Sequence, residues 1–277
     1  MLKFTKMQGV GNDFIILEKN KVKKIVDKSE LARKLCDRNF GIGADGLLIF
    51  SKGTDTDIDL EIFNSDGSEA TMCGNGIRCI SKYFADKYSN TNEKISIKTK
   101  SGVKYVTYRY DSEFIATVDI GHATFGKDSM ELRTDESVIY NYPLKTSKGT
   151  FNITCVYLGN LHTVIFVGNL MLYPFDEIAL EIQKNPLFLN STNVEFVNVI
   201  SKNKIEMLVY ERGCGETLGC GSGACAAAYA AFKMGKTSKS VNVILKGGLL
   251  KVFLDTDIKH IFLTGPAETV YTGEYPL

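Results

Sequence analysis

The sequence contains two short cysteine–glycine stretches, MCGNGIRC at residues 72–79 and GCGSGAC at residues 219–225. Their central cysteines, Cys73 and Cys220, lie 147 positions apart (220 minus 73). A β-like apolar run and a polar turn precede each stretch, and small or apolar residues suited to a helix follow it. The pattern predicts that a strand, a glycine turn and a helix start occur twice in the chain.

A cysteine at the start of a helix lies beside unpaired N–H groups and a partial positive charge, which bind anions and lower the pKa of a thiol. Cys73 and Cys220 are therefore the candidate catalytic residues, acting as a paired acid and base. The alternative is that small thiols only fill a tight turn, because free cysteine is often buried. The repeated placement beside glycines favours function. The remaining cysteines are interpreted as structural: Cys36, Cys79, Cys155, Cys214 and Cys225.

The composition bounds the class of protein. A chain of 277 residues with 44% apolar and 23% charged residues is long enough for two globular domains. The net charge of +1 gives no reason to expect nucleic acid or a membrane surface as a partner. No apolar run approaches ~18 residues and the N-terminus lacks the core of a signal peptide, so we expect a cytoplasmic protein.

Neither a structural zinc site nor a dinucleotide-binding site is expected. Seven cysteines without a C-x-x-C pair, with only three histidines, argue against a disulfide framework and a structural zinc site. The sequence GIGADG at residues 41–46 matches the dinucleotide-binding pattern literally. That fingerprint needs a strand before it and a helix after it, whereas here the predicted order is reversed.

The chain is predicted to be rich in strands. Predicted helices cover residues 29–36, 77–88, 174–184 and 223–234, the first with Ser29 as its N-cap. Predicted strands cover residues 4–7, 14–17, 47–50, 60–63, 94–99, 103–110, 114–120, 151–158, 163–167, 194–199, 205–210, 241–245, 249–254 and 260–264. A glycine turn near residues 119–123 is the expected boundary between two halves.

Polar residues at strand ends are further candidates. Asn64, Glu211 and Arg212 end the strands that lead into the two cysteine turns, so we expect them to line the same pocket rather than a surface turn. Asn160 and His162 follow an apolar run, and a turn asparagine and a core histidine are the alternatives for them. Taken alone, Asn12 and Asn193 would be turn residues.

Nine segments together resemble the diaminopimelate epimerase family, a group of amino-acid epimerases that work without pyridoxal phosphate. They are GVGNDF (9–14), CDR (36–38), GIGADG (41–46), FNSDG (63–67), MCGNG (72–76), NVEFV (193–197), ERG (211–213), CGSGA (220–224) and GPAE (265–268). The resemblance runs through the whole chain, and the two cysteine motifs in this order are highly specific.

The resemblance implies an α/β (α+β) fold of two pseudo-symmetric domains. Each domain would be a curved, mostly antiparallel sheet or barrel around a central helix, with the active site in the cleft between the domains. Residues 1–119 with a C-terminal return at 265–277 would form one domain, and residues 120–264 the other. A homodimer, a small amino-acid substrate and the absence of a cofactor are implied as well.

The implied reaction converts LL-2,6-diaminopimelate to its meso form, in lysine and peptidoglycan precursor biosynthesis. One cysteine would remove the α-proton as thiolate and the other would deliver a proton to the opposite face, with the sulfurs roughly 7 Å apart. Backbone N–H groups of Gly74, Asn75, Gly221 and Ser222 would hold the α-carboxylate. His162 and Glu211 would tune the thiols. The remaining expected substrate-binding residues are Asn12, Asn64, Asn160, Asn193, Glu211 and Arg212.

Two departures from the family pattern leave room for a different substrate. The usual G-N-P-H segment reads GNLH at residues 159–162, and Gly46 stands where many members have glutamine. The alternatives are therefore an epimerase or racemase of a related amino acid, such as lanthionine, or, from another class, a thiol redox or binding protein.

Overall fold

The computed structural model describes residues 1–23, 25–88, 93–126 and 130–276. Its contacts divide the chain into two compact units. Unit 1 comprises Met1–Asp119 with Thr264–Leu277, and unit 2 comprises Ile120–Leu263. The last residue of the predicted C-terminal return, Leu277, lies outside the described residues.

Strands make up most of the regular structure. In chain order they are β1 (Leu2–Gly9), β2 (Asn12–Glu18), β3 (Gly46–Lys52), β4 (Ile58–Asn64), β5 (Glu69–Ala70), β6 (Lys94–Thr99), β7 (Gly102–Tyr110), β8 (Phe114–Gly121), β9 (Tyr142–Thr146), β10 (Gly149–Tyr157), β11 (Leu161–Phe166), β12 (Asn193–Ser201), β13 (Lys204–Glu211), β14 (Gly215–Thr217), β15 (Ser240–Leu245), β16 (Gly248–Leu254), β17 (Ile261–Pro266) and β18 (Glu268–Tyr275). The α-helices are α1 (Lys28–Cys36), α2 (Gly74–Tyr88), α3 (Phe175–Gln183) and α4 (Gly221–Lys233), and short 3₁₀ turns lie at Lys19–Lys21 and Leu170–Leu172.

In unit 1 the strand pairs alternate between antiparallel and parallel. β1 is antiparallel to β2, β2 parallel to β3, β3 antiparallel to β4, β4 parallel to β6, and β6 antiparallel to β7. Helix α1 connects β2 to β3 and helix α2 precedes β6, as expected for connections that return the chain to a parallel neighbour. The C-terminal strand β18 pairs with β1.

Unit 2 repeats this order of pairing. β10 is antiparallel to β11, β11 parallel to β12, β12 antiparallel to β13, β13 parallel to β15, and β15 antiparallel to β16. Helix α3 occupies the place of α1, and α4 the place of α2. This repeat confirms the predicted mixed α/β fold with two similar halves. Outside the cysteine turns, the two halves share few identical residues.

Helices pack against the strands of each unit. In unit 1, α1 packs against β3 and β4, whereas α2 packs against β1, β2 and β18. In unit 2, Val194 and Phe196 of β12 belong to the apolar cluster that includes α3. Successive residues of a strand point to opposite faces, so Glu195 points to the face covered by α4. This alternation decides which polar groups reach the start of α4.

Several boundaries differ from the predictions. Helix α1 begins at Lys28 with Asp27 as its N-cap, and the Asp27 side chain accepts the N–H of Glu30, so Ser29 as the cap was wrong. Helices α2 and α4 begin at residues 74 and 221, directly after the cysteines. The strands β5, β9, β14 and β18 were not predicted.

None of the helices within the described residues is both long and apolar enough to span a membrane.

Candidate functional site

Cys73 caps the first turn of helix α2 in unit 1. Its Sγ accepts the backbone N–H of Gly76 at 3.4 Å, and its carbonyl accepts the N–H of Ile77 at 2.8 Å. The cysteine therefore takes up the third and fourth N–H groups of the helix, in the manner of an N-cap serine. Cys73 is half-buried, while Gly74 and Asn75 behind it are buried.

Asn12 joins the Cys73 turn to the loop that precedes β3. Its Oδ1 accepts the Nδ2 group of Asn75 at 3.1 Å and lies 3.9 Å from the Sγ atom of Cys73, which donates to it. Its Nδ2 donates to Oδ2 of Asp45 at 2.7 Å. The structure thus brings Asn12, Cys73 and Asn75 together, and adds Asp45, which the sequence analysis did not single out.

Asn64 ends strand β4 and is exposed. Its Nδ2 donates to Oγ of Ser68 at 2.9 Å, and its backbone N–H donates to the carbonyl of Ser68 at 2.8 Å. These bonds hold it in its own turn, opposite Gly46 in the β3–β4 register. Among the described residues, no hydrogen bond links Asn64 to Cys73.

Cys220 caps helix α4 in unit 2 with the same geometry. Its Sγ accepts the N–H of Gly223 at 3.4 Å, and its carbonyl accepts the N–H of Ala224 at 3.0 Å. The Oγ atom of Ser222 shares a hydrogen bond with the sulfur at 3.4 Å. Cys220 is buried, with 6% of its surface exposed.

The environment of Cys220 raises the pKa of its thiol well above the usual 9.0. Burial is the largest cause, followed by the negative charges of Glu211 and Glu195, whereas hydrogen bonds from Ser222 and the Gly223 N–H act in the opposite direction. The expectation that a helix start lowers the thiol pKa is therefore wrong for Cys220, because desolvation and two carboxylates outweigh it. This direction favours the neutral thiol form of Cys220.

A chain of polar side chains leads from Cys220 into the core of unit 2. Asn160 donates its Nδ2 group to Oγ of Ser222 at 3.5 Å, and its Oδ1 lies 2.9 Å from Nε2 of His162. The Nδ1 atom of His162 lies 2.6 Å from Oε1 of Glu195, and both side chains are fully buried. The structure therefore brings Asn160 and His162 together with Ser222 and Cys220. Glu195 joins them, although it was not among the predicted site residues.

Glu211 and Asn193 lie on neighbouring strands of the same unit. Oε1 of Glu211 accepts the hydroxyl of Thr217 at 2.5 Å. Burial raises the pKa of the Glu211 carboxyl, and hydrogen bonds from Thr217 and Cys220 oppose that shift. Asn193 is buried and holds the loop after β13, since its Oδ1 accepts the backbone N–H of Arg212 at 3.0 Å.

The side chain of Arg212 forms a hydrogen bond with the backbone of Asn190. Arg212 is exposed, and its Nη1 atom donates to the carbonyl of Asn190 at 3.1 Å. Asn193 fixes the backbone at this residue, so it positions the guanidinium without contacting it. Within the described residues, Arg212 forms no ion pair with a carboxylate.

Gly46 and Leu161, the two departures from the family pattern, begin strands β3 and β11. A Cβ atom at Gly46 would lie 2.9 Å from the carbonyl of Phe63 and 3.2 Å from the ring of Phe14, so this chain has no room for a side chain there without a shift. Leu161 begins β11, and its carbonyl accepts the Nδ2 group of Asn193 at 2.9 Å.

The order of elements around residues 41–46 confirms that this segment is not a dinucleotide fingerprint, because α1 precedes it and β3 follows it. Over the part of the chain that the structure describes, no three His, Cys, Asp or Glu side chains cluster in a way that could hold a metal ion.

Solved structures with the same fold cover nearly the whole chain. A probable proline racemase from Agrobacterium radiobacter K84 superposes with a TM-score of 0.74 at 13% identity, covering 100% of this chain and 93% of that one. A phenazine biosynthesis protein of the PhzF family from Bacillus anthracis gives a TM-score of 0.70 at 16% identity, covering 100% and 99%. The fold class is therefore the mixed α/β fold that these proteins share.

Sequence comparison then gives the family. The profile described as diaminopimelate epimerase matches residues 4–126 and 154–270. The diaminopimelate epimerase of Halothermothrix orenii is 42% identical over 280 residues, covering 99% of this chain and 97% of that protein, and that of Methanococcus maripaludis is 38% identical, covering 99% of each. The chain belongs to the diaminopimelate epimerase family.

Proposed function

We propose that this protein is an isomerase that converts LL-2,6-diaminopimelate to meso-2,6-diaminopimelate, a step in lysine and peptidoglycan precursor biosynthesis. The observation that carries the proposal is the match over 99% of the chain to relatives that bear this name, at 42% identity for the Halothermothrix orenii protein. The two thiol-capped helices agree with it, because they are the groups that this chemistry requires.

The proposed chemistry is proton transfer on both faces of one α-carbon without a cofactor. Starting from LL-diaminopimelate, the thiolate of one cysteine takes the α-proton, leaving an electron pair on the α-carbon. The thiol of the other cysteine gives its proton to the opposite face, which inverts the centre and leaves that sulfur as thiolate. Cys73 and Cys220 exchange roles for the reverse reaction, and the raised pKa of Cys220 suits it to the role of the acid.

The α-carboxylate of the substrate gains negative charge when the proton leaves. In both helices the cysteine itself binds the third and fourth N–H groups. The first two N–H groups, at Gly74 and Asn75 and at Gly221 and Ser222, are the proposed donors to the carboxylate. A helix start carries about half a positive charge, which stabilises the developing anion.

The distal amino-acid group is assigned to Arg212, Asn64, Asn160 and Asn193, with Asn12 beside the Cys73 turn. An exposed guanidinium can form a bidentate contact with a carboxylate, and amides serve both an ammonium and a carboxylate. His162 and Glu211 are proposed to tune the thiols, and the contact of Glu211 with Cys220 supports that role.

Deuterium incorporation tests the proposal directly. Incubating the protein in D₂O with LL-diaminopimelate, lanthionine and a panel of simple amino acids separates the candidate functions. We expect α-deuterium and a new diastereomer with diaminopimelate. Exchange confined to lanthionine or to another amino acid would reassign the substrate, and no exchange with any compound would favour a thiol redox or binding protein.

Domain roles, assembly and location complete the proposal. We infer that units 1 and 2 act as the two domains of the enzyme and that each contributes one thiol. A homodimer in the cytoplasm is the expected state from the resemblance to the family. Light scattering on the purified protein measures its mass, and fractionation of the producing cells measures its location.

A further inference from the structure

Glu195 and His162 form a buried acid–imidazole pair beneath the start of α4. Glu195 lies on β12 and His162 on the neighbouring β11, and both side chains are fully buried. Oε1 of Glu195 and Nδ1 of His162 share a hydrogen bond of 2.6 Å. This distance is typical of a strong, charge-assisted hydrogen bond.

The other ring nitrogen of His162 also faces an acceptor. Nε2 lies 2.9 Å from Oδ1 of Asn160, an amide oxygen that can only accept, and the amide nitrogen of Asn160 donates instead to Ser222. An imidazole that donates from both nitrogens carries a positive charge. The geometry is therefore complete when His162 is an imidazolium and Glu195 a carboxylate.

The buried surroundings of Glu195 require a positively charged partner. Its Oε2 is buried and has no hydrogen-bond partner within the described residues. A buried carboxylate without a neighbouring cation is strongly unfavourable. A Cβ atom at Gly223 would lie only 2.8 Å from Oε1, so the glycine allows α4 to approach the carboxylate closely.

We propose that Glu195 is a positioning residue that holds His162 as a doubly protonated ring. The charged ring fixes the amide of Asn160. Through Ser222, that amide fixes the hydrogen bonds offered to Cys220. The consequence for catalysis rests on the proposed function, whereas the protonation of His162 does not. The titratable groups facing the pair are Cys155 of β10, Glu211 of β13 and Cys220.

The test replaces Glu195 by glutamine, which keeps the size of the side chain, removes the charge and offers a donor as well as an acceptor. Glu206→Gln is the matched control, because Glu206 lies half-buried on β13 of the same sheet. Side-chain nitrogen-15 NMR of the three histidines at pH 7 counts the protons on each ring, and a His162→Gln variant assigns the His162 signals.

In the wild-type protein we expect both nitrogens of His162 to be protonated, and in Glu195→Gln only one. A singly protonated ring in the wild type, or a ring still doubly protonated in Glu195→Gln, would overturn the proposal. This measurement needs no substrate, so it stays decisive if the enzyme acts on a compound other than diaminopimelate.

A kinetic measurement tests the link to Cys220. We expect kcat of Glu195→Gln to fall about tenfold, the effect of losing one charge-assisted hydrogen bond. The Glu195→Gln/His162→Gln double variant should be no slower than the slower single variant. Additive losses in kcat would show that Glu195 does not act through His162 on Cys220. Urea unfolding of each variant checks that it is folded at the assay temperature.

Discussion

The Nδ2 atom of Asn12 donates to Oδ2 of Asp45 at 2.7 Å, and this bond decides which end of the Asn12 amide faces Cys73. Because the nitrogen is held by a carboxylate, the oxygen points to the other side, where it meets Nδ2 of Asn75 and Sγ of Cys73. Asp45 is itself held by Arg38, at 2.8 Å. A residue in the loop before β3 therefore orients an acceptor beside the proposed catalytic thiol.

We predict that Asp45→Asn lowers kcat about tenfold, the typical effect of one hydrogen bond to a charged group. An amide at position 45 can donate or accept, so the Asn12 side chain is free to turn its nitrogen toward Cys73. The free energy of unfolding should change by less than about 1 kcal/mol, since the ion pair with Arg38 is partly exposed to solvent. Steady-state kinetics and urea unfolding measure the two quantities.

Asp57→Asn is the control for that variant. Oδ2 of Asp57 accepts the backbone N–H of Ser96 at 2.7 Å at the exposed end of the same unit, so its loss perturbs a turn without touching the Cys73 network. Equal losses of kcat in the two variants would mean that Asp45 acts only through the stability of unit 1.

The order of elements could be predicted because apolar alternation and glycine turns are local signals. Strand β18 was missed because ETVYTGEY is mostly exposed and mixed in polarity, and only its pairing with β1 defines it. The cap of α1 was misplaced by two residues because Asp27 and Ser29 are both good caps, and only the hydrogen bond to Glu30 distinguishes them.

The same reasoning applies to the candidate site. The cysteine turns carry their own signal, since thiol, glycines and helix follow one another in the chain. Glu195 and Asp45 carry no such local signal, because each acts on a group 33 residues away in the chain. The one available signal for Glu195 was a single acid inside the apolar run NVEFV. A sheet covered on both faces must bury that acid, but the second covering helix is visible only in the fold.

Replacing either proposed acid–base residue, as Cys73→Ala or Cys220→Ala, should lower epimerisation by at least about 100-fold, the lower limit of typical general acid–base effects. Separation of LL- and meso-diaminopimelate after timed incubation gives the rate. Cys214→Ala is the matched control, because Cys214 is an exposed thiol in the turn before β14, and it should keep full activity. Normal turnover by either active-site variant would exclude the two-base mechanism.

Buried thiols should make the fold sensitive to alkali. Burial raises the pKa of Cys155 to about 12, from an ordinary value of 9.0. Between these values the unfolded chain loses the thiol proton and the folded chain keeps it, so the stability due to this group is complete below pH 9 and is lost as the pH rises toward 12. The loss should reach about 1.4 kcal/mol at pH 10.

Urea unfolding at pH 8 and pH 10 measures this effect. Cys155→Ala should lose less stability between the two pH values than the wild type, by about 1.4 kcal/mol. Val156→Ala is the control, because Val156 is equally buried in β10 but does not ionise. If both variants keep the wild-type pH dependence, Cys155 is already ionised, or already exposed, in the folded protein at pH 10.

The third residue of each cysteine-capped helix offers a paired test of how tightly the helix start is packed. At Gly223 a Cβ atom would lie 2.8 Å from Oε1 of Glu195 and 3.3 Å from Cβ of Cys220, whereas at Gly76 the nearest atom is a Leu48 methyl at 3.2 Å. Alanine is favoured over glycine in a helix by about 1 kcal/mol. In Gly76→Ala the Leu48 methyl can move aside, so the free energy of unfolding should stay close to that of the wild type.

In Gly223→Ala the added methyl instead pushes against a buried carboxylate held by His162, and overpacking of this kind costs about 1–3 kcal/mol. We therefore predict that Gly223→Ala lowers both the free energy of unfolding and kcat, and that Gly76→Ala lowers stability less. Chemical denaturation and deuterium exchange at the α-carbon measure the two effects. If Gly223→Ala is as stable and as active as the wild type, the Glu195 carboxylate has space to retreat, and the close packing of α4 on the Glu195–His162 pair is not required for function.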